Sequence, residues 1–91
     1  MRVVIAYDIS SDRRRKKVAD LLSNVLIRVQ LSVFEGDVPP EVLERWVKKA
    51  VRLLDAETDS LRVYRLCAAC APRVDVYGLA MFLEGGPVRI L

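Results

Sequence analysis

Val3-Val4-Ile5-Ala6-Tyr7-Asp8-Ile9 is an apolar run interrupted by a carboxylate near its end. Apolar on both faces, it reads as a strand over residues 2 to 9 in the middle of a sheet. Directly behind it, Arg13-Arg14-Arg15-Lys16-Lys17 places five consecutive cations at the start of the next element. An acidic strand end beside a cationic face is what a protein needs to bring a divalent cation to a phosphodiester.

Working outward, Ser10 or Ser11 can cap the helix after this strand, with Asp12 well placed against its positive end. Val18, Leu21, Leu22 and Val25 fall at i, i+3, i+4 and i+7 and form one buried stripe, while Arg13, Lys16, Lys17 and Asp20 point the other way. Residues 27 to 36 are β-rich, and the sequence leaves open one bent strand or a tight pair of short ones. Gly36-Asp37-Val38-Pro39-Pro40 is a turn whose last proline suits the first position of a second helix, running to about Leu54. The stripe of that helix is Leu43, Trp46, Val47, Ala50, Val51 and Leu54. Glu41/Arg45 and Glu44/Lys48 are spaced as solvent-face ion pairs. Asp55 to Ser60 reads as a polar loop, Leu61 to Leu66 as a strand and Val74 to Tyr77 as a short one. The order is that of an α+β, ferredoxin-like βαββαβ sandwich with two helices on one sheet face. The apolar tail from Leu79 has no place in that minimal fold and is expected to add an edge strand, to its own sheet or to that of a partner chain.

Ninety-one residues make one domain, with residues 1–78 as its core and 79–91 as the tail. A chain this short leaves much surface unburied, so oligomerisation is an expected way to complete the core. A hydrophobic fraction of 53% argues against disorder, and a net charge of +3 agrees with a nucleic-acid partner without requiring one. There is no histidine, which excludes a histidine-based triad or general base and leaves carboxylates, Lys, Tyr or metal-bound water for acid–base work. No signal peptide is expected before the first strand, and Leu79 to Leu83 is far too short to cross a bilayer. A soluble, cytoplasmic protein with no membrane partner is expected.

Asp8 has two readings: a turn former at a strand end, or a metal ligand. One carboxylate makes a poor Mg²⁺ site, but a two-fold axis near the strand end would bring two copies together. The cation block is either a solvated helix face or a phosphate-binding surface. Cations in a first helical turn oppose the macrodipole by about 0.3–1 kcal/mol each, so the charge is expected to serve another purpose. Cys67-Ala-Ala-Cys70 could be a redox pair, half of a shared zinc site, a local disulfide or two small buried hydrophobes, and the chemistry is not placed there. The aromatics form no RNP-like stacking pattern, and Gly85-Gly86-Pro87 lacks the helix that should follow a phosphate loop.

Tyr7-Asp8-Ile9, the Arg15 to Lys17 cations and Arg28-Val29-Gln30-Leu31-Ser32-Val33-Phe34-Glu35-Gly36 together resemble the Cas2 family of CRISPR-associated proteins. The Pro-led second helix and the Arg62-Val63-Tyr64-Arg65-Leu66 strand extend the resemblance over nearly the whole chain. It implies a ferredoxin-like homodimer whose C-terminal strands complete each other's sheets. It also implies a metal-dependent endonuclease, on RNA or DNA, with two Asp8 carboxylates holding Mg²⁺ and Tyr7 flanking the site. Arg15, Lys17, Arg28 and Phe34 would line the nucleic-acid surface, to which the reading of the cation block adds Arg13, Arg14 and Lys16. Lys17 stands where some members carry Arg, which weakens the case for a bidentate phosphate contact there. The family further implies a role in spacer acquisition, either as a nuclease or as a non-catalytic DNA-binding subunit that bridges a Cas1-like integrase. A regulatory ferredoxin-like domain for a small metabolite is the distant alternative, and it would not need clustered cations.

Overall fold

The computed structural model describes residues 1–66 and 73–78. Its elements run β1 (Arg2–Asp8), α1 (Asp12–Leu22), β2 (Ile27–Gln30), β3 (Val33–Asp37), α2 (Pro40–Arg52), β4 (Ser60–Leu66) and β5 (Arg73–Gly78). The strands form one antiparallel sheet in the order β2-β3-β1-β4-β5, so β1 is central as its composition requires. Strands β2-β3-β1-β4 are the ferredoxin-like sheet, and β5 extends it by pairing with β4 inside the same chain. The short strand expected at Val74–Tyr77 is therefore β5. Cys67, Cys70 and the tail from Leu79 lie outside the described residues.

Strand periodicity divides β1 cleanly. Val3, Ile5 and Tyr7 are buried against the helices, while Val4, Ala6 and Asp8 face the other way. The core is completed by Val18, Ala19 and Leu22 of α1, Leu43, Val47 and Ala50 of α2, and Phe34, Leu61 and Val63 of the flanking strands. Each fully buried large apolar side chain here contributes roughly 1.5–3 kcal/mol.

The β-rich stretch is a pair of strands. Ile27 faces Glu35, Arg28 faces Phe34, and Gln30 faces Val33, so one extra residue is accommodated in β2 between Arg28 and Gln30. Ser11 is the helix cap: its backbone is extended and its Oγ accepts the Arg14 backbone N–H at 3.3 Å. α1 stops at Leu22, where the Ser23 hydroxyl donates to the Ala19 carbonyl at 2.7 Å and the Asn24 amide donates to the Asp20 and Leu21 carbonyls. Val25 thus falls beyond the helix, though it still packs on the core. α2 begins at Pro40 after an extended Pro39, and ends at Arg52 rather than Leu54. The Glu41/Arg45 and Glu44/Lys48 pairs are not among the ion pairs of the described residues; Lys49 instead sits 4.5 Å above the Trp46 ring.

Candidate functional site

Asp8 is the last residue of the central strand, and its side chain is exposed on the sheet face away from the helices. Across β4 its register partner is Ser60, and Arg62 and Tyr64 follow on the same face opposite Ala6 and Val4. Together with Tyr7 these residues line an open recess of about 290 Å³. The recess combines a carboxylate, a hydroxyl and a guanidinium group, a donor set that suits a cation beside a phosphate.

Tyr7 turns the other way. It is buried, its ring stacks on Phe34 with centroids 6.2 Å apart, and its hydroxyl donates to the Leu31 carbonyl at 3.4 Å. Strand alternation sends the Tyr7 and Asp8 side chains to opposite faces, so Tyr7 borders the Asp8 recess while its ring packs into the core. The expectation for Phe34 is corrected: it is fully buried, 0% exposed, and lines no surface. Its ring supports the exposed Arg28, whose guanidinium lies 5.6 Å from the ring centroid. Arg28 Nε and Nη2 also donate to the Leu31 carbonyl at 2.9 and 2.6 Å.

The five cations divide by their positions around the helix. Arg13, Lys16 and Lys17 are exposed. Lys16 pairs with Asp20 at 3.0 Å, while Arg13 and Lys17 have no ion pair among the described residues. Arg15 donates through Nη1 to the Ile9 carbonyl at 2.9 Å and pairs with Asp12. Arg15, Lys16 and Arg28, with Asp12, Ala19, Asp20 and Leu31, line a groove of about 500 Å³ between α1 and the β2–β3 turn. Arg14 leaves the block altogether and closes on Asp59, Nε to Oδ2 at 2.8 Å. Of the five cations expected on the nucleic-acid surface, Arg14 is thus the one committed to a buried counter-ion, with its side chain partly exposed. Burial by itself raises the Asp59 pKa, but donation from Arg14, the backbone amides of Asp55 and Ser10, and the Thr58 hydroxyl outweighs it. The carboxyl is held well below the usual carboxylate range.

A family model described as CRISPR associated protein Cas2 matches residues 1–74. The chain belongs to the Cas2 family. It is 44% identical over 79 residues to the CRISPR-associated endoribonuclease Cas2 1 of Chloroflexus aurantiacus, covering 86% of this chain and 85% of that one. It is 42% identical over 87 residues to the CRISPR-associated endonuclease Cas2 2 of Thermus thermophilus, covering 96% and 92%. Among solved structures, a hypothetical protein from Thermus thermophilus superposes with a TM-score of 0.69 at 45% identity, over 74% of this chain and 82% of that one. Streptococcus pyogenes Cas2 at pH 6.5 superposes with a TM-score of 0.68 at 33% identity, over 74% and 87%.

Within this Cas2-family chain, the described residues hold no cluster of three metal-binding side chains. One exposed Asp8 carboxylate supplies a single anionic ligand, the minimum for a Mg²⁺ ion that keeps several waters and takes substrate phosphate oxygens. Sequence reading missed Ser60, Arg62 and Asp59. Alternation in Leu61-Arg62-Val63-Tyr64 could have placed Arg62 on the Asp8 face. Nothing local marks Asp59, because its ion-pair partner is 45 residues away.

Proposed function

We propose that this chain is a CRISPR-associated nuclease that works as a homodimer, with Asp8 from two copies holding one Mg²⁺. The observation that carries this reading is the exposure of Asp8 at the end of the central strand, beside Ser60 and Arg62. A bound Mg²⁺ would supply Lewis-acid chemistry, activating water and neutralising charge on the phosphate. The chain's own residues do the rest. Asp8 presents the anionic ligand, and Arg62, further along β4 on the same face, offers a cation to the phosphate oxygens. Arg13, Arg15, Lys16, Lys17 and Arg28 bind backbone phosphates through charge. The names of the relatives support RNA or DNA as substrate, being endoribonuclease in one case and endonuclease in another. Among the described residues no helix is long and apolar enough to cross a membrane.

One observation favours a second reading. The cations of the block belong to α1, which packs on the helix face of the sheet, whereas the Asp8 side chain is exposed on the other face. Nucleic acid held along them is not thereby delivered to the carboxylate, which suits a non-catalytic subunit that carries duplex DNA for a Cas1-like integrase. Labelled RNA and duplex DNA incubated with wild type and Asp8→Asn, in Mg²⁺ or EDTA, separates the two. Metal-dependent products that vanish in the variant support the nuclease. Salt-sensitive binding without products, or products that survive the substitution, supports the carrier.

A further inference from the structure

Asp59 is remote in sequence from Asp8, yet the segments that frame Asp8 converge on it. Its Oδ1 accepts the Ser10 backbone N–H at 3.1 Å, the Ser10 hydroxyl at 3.3 Å, the Thr58 hydroxyl at 3.1 Å and Arg14 Nη2 at 3.3 Å. Its Oδ2 accepts Arg14 Nε at 2.8 Å and the Asp55 backbone N–H at 2.9 Å. Ser10 lies two positions after Asp8, and Ser60, which follows Asp59 directly, is the register partner of Asp8. From β5, Gly78 packs so closely that a Cβ there would stand 2.0 Å from the Asp59 carbonyl oxygen. One fully buried carboxylate therefore ties together the chain leaving Asp8, the strand opposite it and the first turn of α1.

We propose that Asp59 and Arg14 are a positioning pair that sets the direction in which the Asp8 carboxylate leaves the sheet toward a divalent cation. The inference rests on the reading of Asp8 as the metal-holding residue. Neither member of the pair needs to touch the reacting atoms. Asp59 is closed off from solvent, and Arg14 spends its guanidinium on Asp59, Ser10 and Thr58. Their effect passes through Ser10 and Ser60 to the two backbone segments that bracket Asp8. Residues that orient a metal ligand without touching the metal commonly change affinity or activity about 10- to 100-fold when replaced.

The test is Mn²⁺ binding by electron paramagnetic resonance on the full chain, alongside kcat and KM for nucleic-acid cleavage, for wild type, Asp8→Asn, Asp59→Asn, Arg14→Lys and Ser10→Ala. All are measured well below each variant's unfolding midpoint. Folded Asp59→Asn and Arg14→Lys are expected to bind Mn²⁺ about tenfold or more weakly and to lose kcat with KM unchanged, with Ser10→Ala intermediate. If Asp59→Asn does not fold, Arg14→Lys and Ser10→Ala carry the comparison. If Asp8→Asn loses Mn²⁺ while the folded positioning variants keep wild-type affinity, the positioning role is overturned and the reading of Asp8 stands. If Asp8→Asn keeps Mn²⁺, or wild type binds none, the reading of Asp8 is overturned and the inference with it. A wild type that binds Mn²⁺ without cleaving still decides the inference through affinity.

Discussion

Arg14 and Asp59, 45 residues apart, form an ion pair in which the carboxylate is wholly buried and the guanidinium partly exposed. That asymmetry orders two substitutions. Arg14→Ala strands a buried charge, whereas Asp59→Asn removes the charge and leaves Arg14 able to reach water. Thermal unfolding should show the larger loss for Arg14→Ala, on the order of 10 °C or more for a domain of this size. Equal midpoints for both variants would contradict the buried geometry.

The same pair sets an acid limit. The Asp59 carboxyl is depressed below its ordinary value of 3.8, so the folded chain keeps it ionised where the unfolded chain takes up a proton. Its stability contribution is complete above the unfolded value and is lost as the pH falls through the lower folded value. Unfolding midpoints followed from pH 7 to pH 3 should drop for wild type at the acid end, with a shallower drop for Asp59→Asn.

Gly78 has φ of +97° and no room for a side chain against the Asp59 carbonyl. Gly78→Ala combines an unfavourable backbone conformation with a backbone clash, and should cost roughly 2 kcal/mol or more in urea unfolding.

Tyr7 and Asp8 should separate stability from chemistry. Tyr7→Phe keeps the ring on Phe34 and loses one long hydrogen bond, worth about 0.5–1.5 kcal/mol at most, and should retain cleavage. Asp8→Asn should leave the unfolding midpoint nearly unchanged and abolish metal-dependent products. Phe34→Ala opens the core and should cost about 3–5 kcal/mol, with any loss of nucleic-acid binding following from that.

Arg13 and Lys17, exposed and outside any ion pair of the described residues, are the cations of the block most open to phosphate. Neutralising either one should weaken duplex binding and make the slope of log affinity against log salt shallower by about one for each phosphate no longer neutralised. Titrations at several salt concentrations measure it.

Most of the frame was legible in local patterns. The apolar Val3–Ile9 run specified a central strand, the 3.6-residue stripes specified both helices, and Pro40 marked where α2 begins. The opposite facing of Tyr7 and Asp8 was also legible, since alternation is a property of neighbouring residues; adjacency in the chain had grouped them instead. These features depend on interactions within a few residues, so the sequence by itself determined them.

The division of the β-rich stretch into β2 and β3, the burial of Phe34 and the inward turn of Arg14 were decided only by tertiary structure. Val33, Phe34 and Glu35 suit either a bent strand or a hairpin until β1 supplies a register. Arg14 looks like any other cation in its block until the sheet brings the loop before β4 against the start of α1. A desolvated carboxylate then selects one guanidinium of the five cations, because burial penalises any charge that lacks a partner.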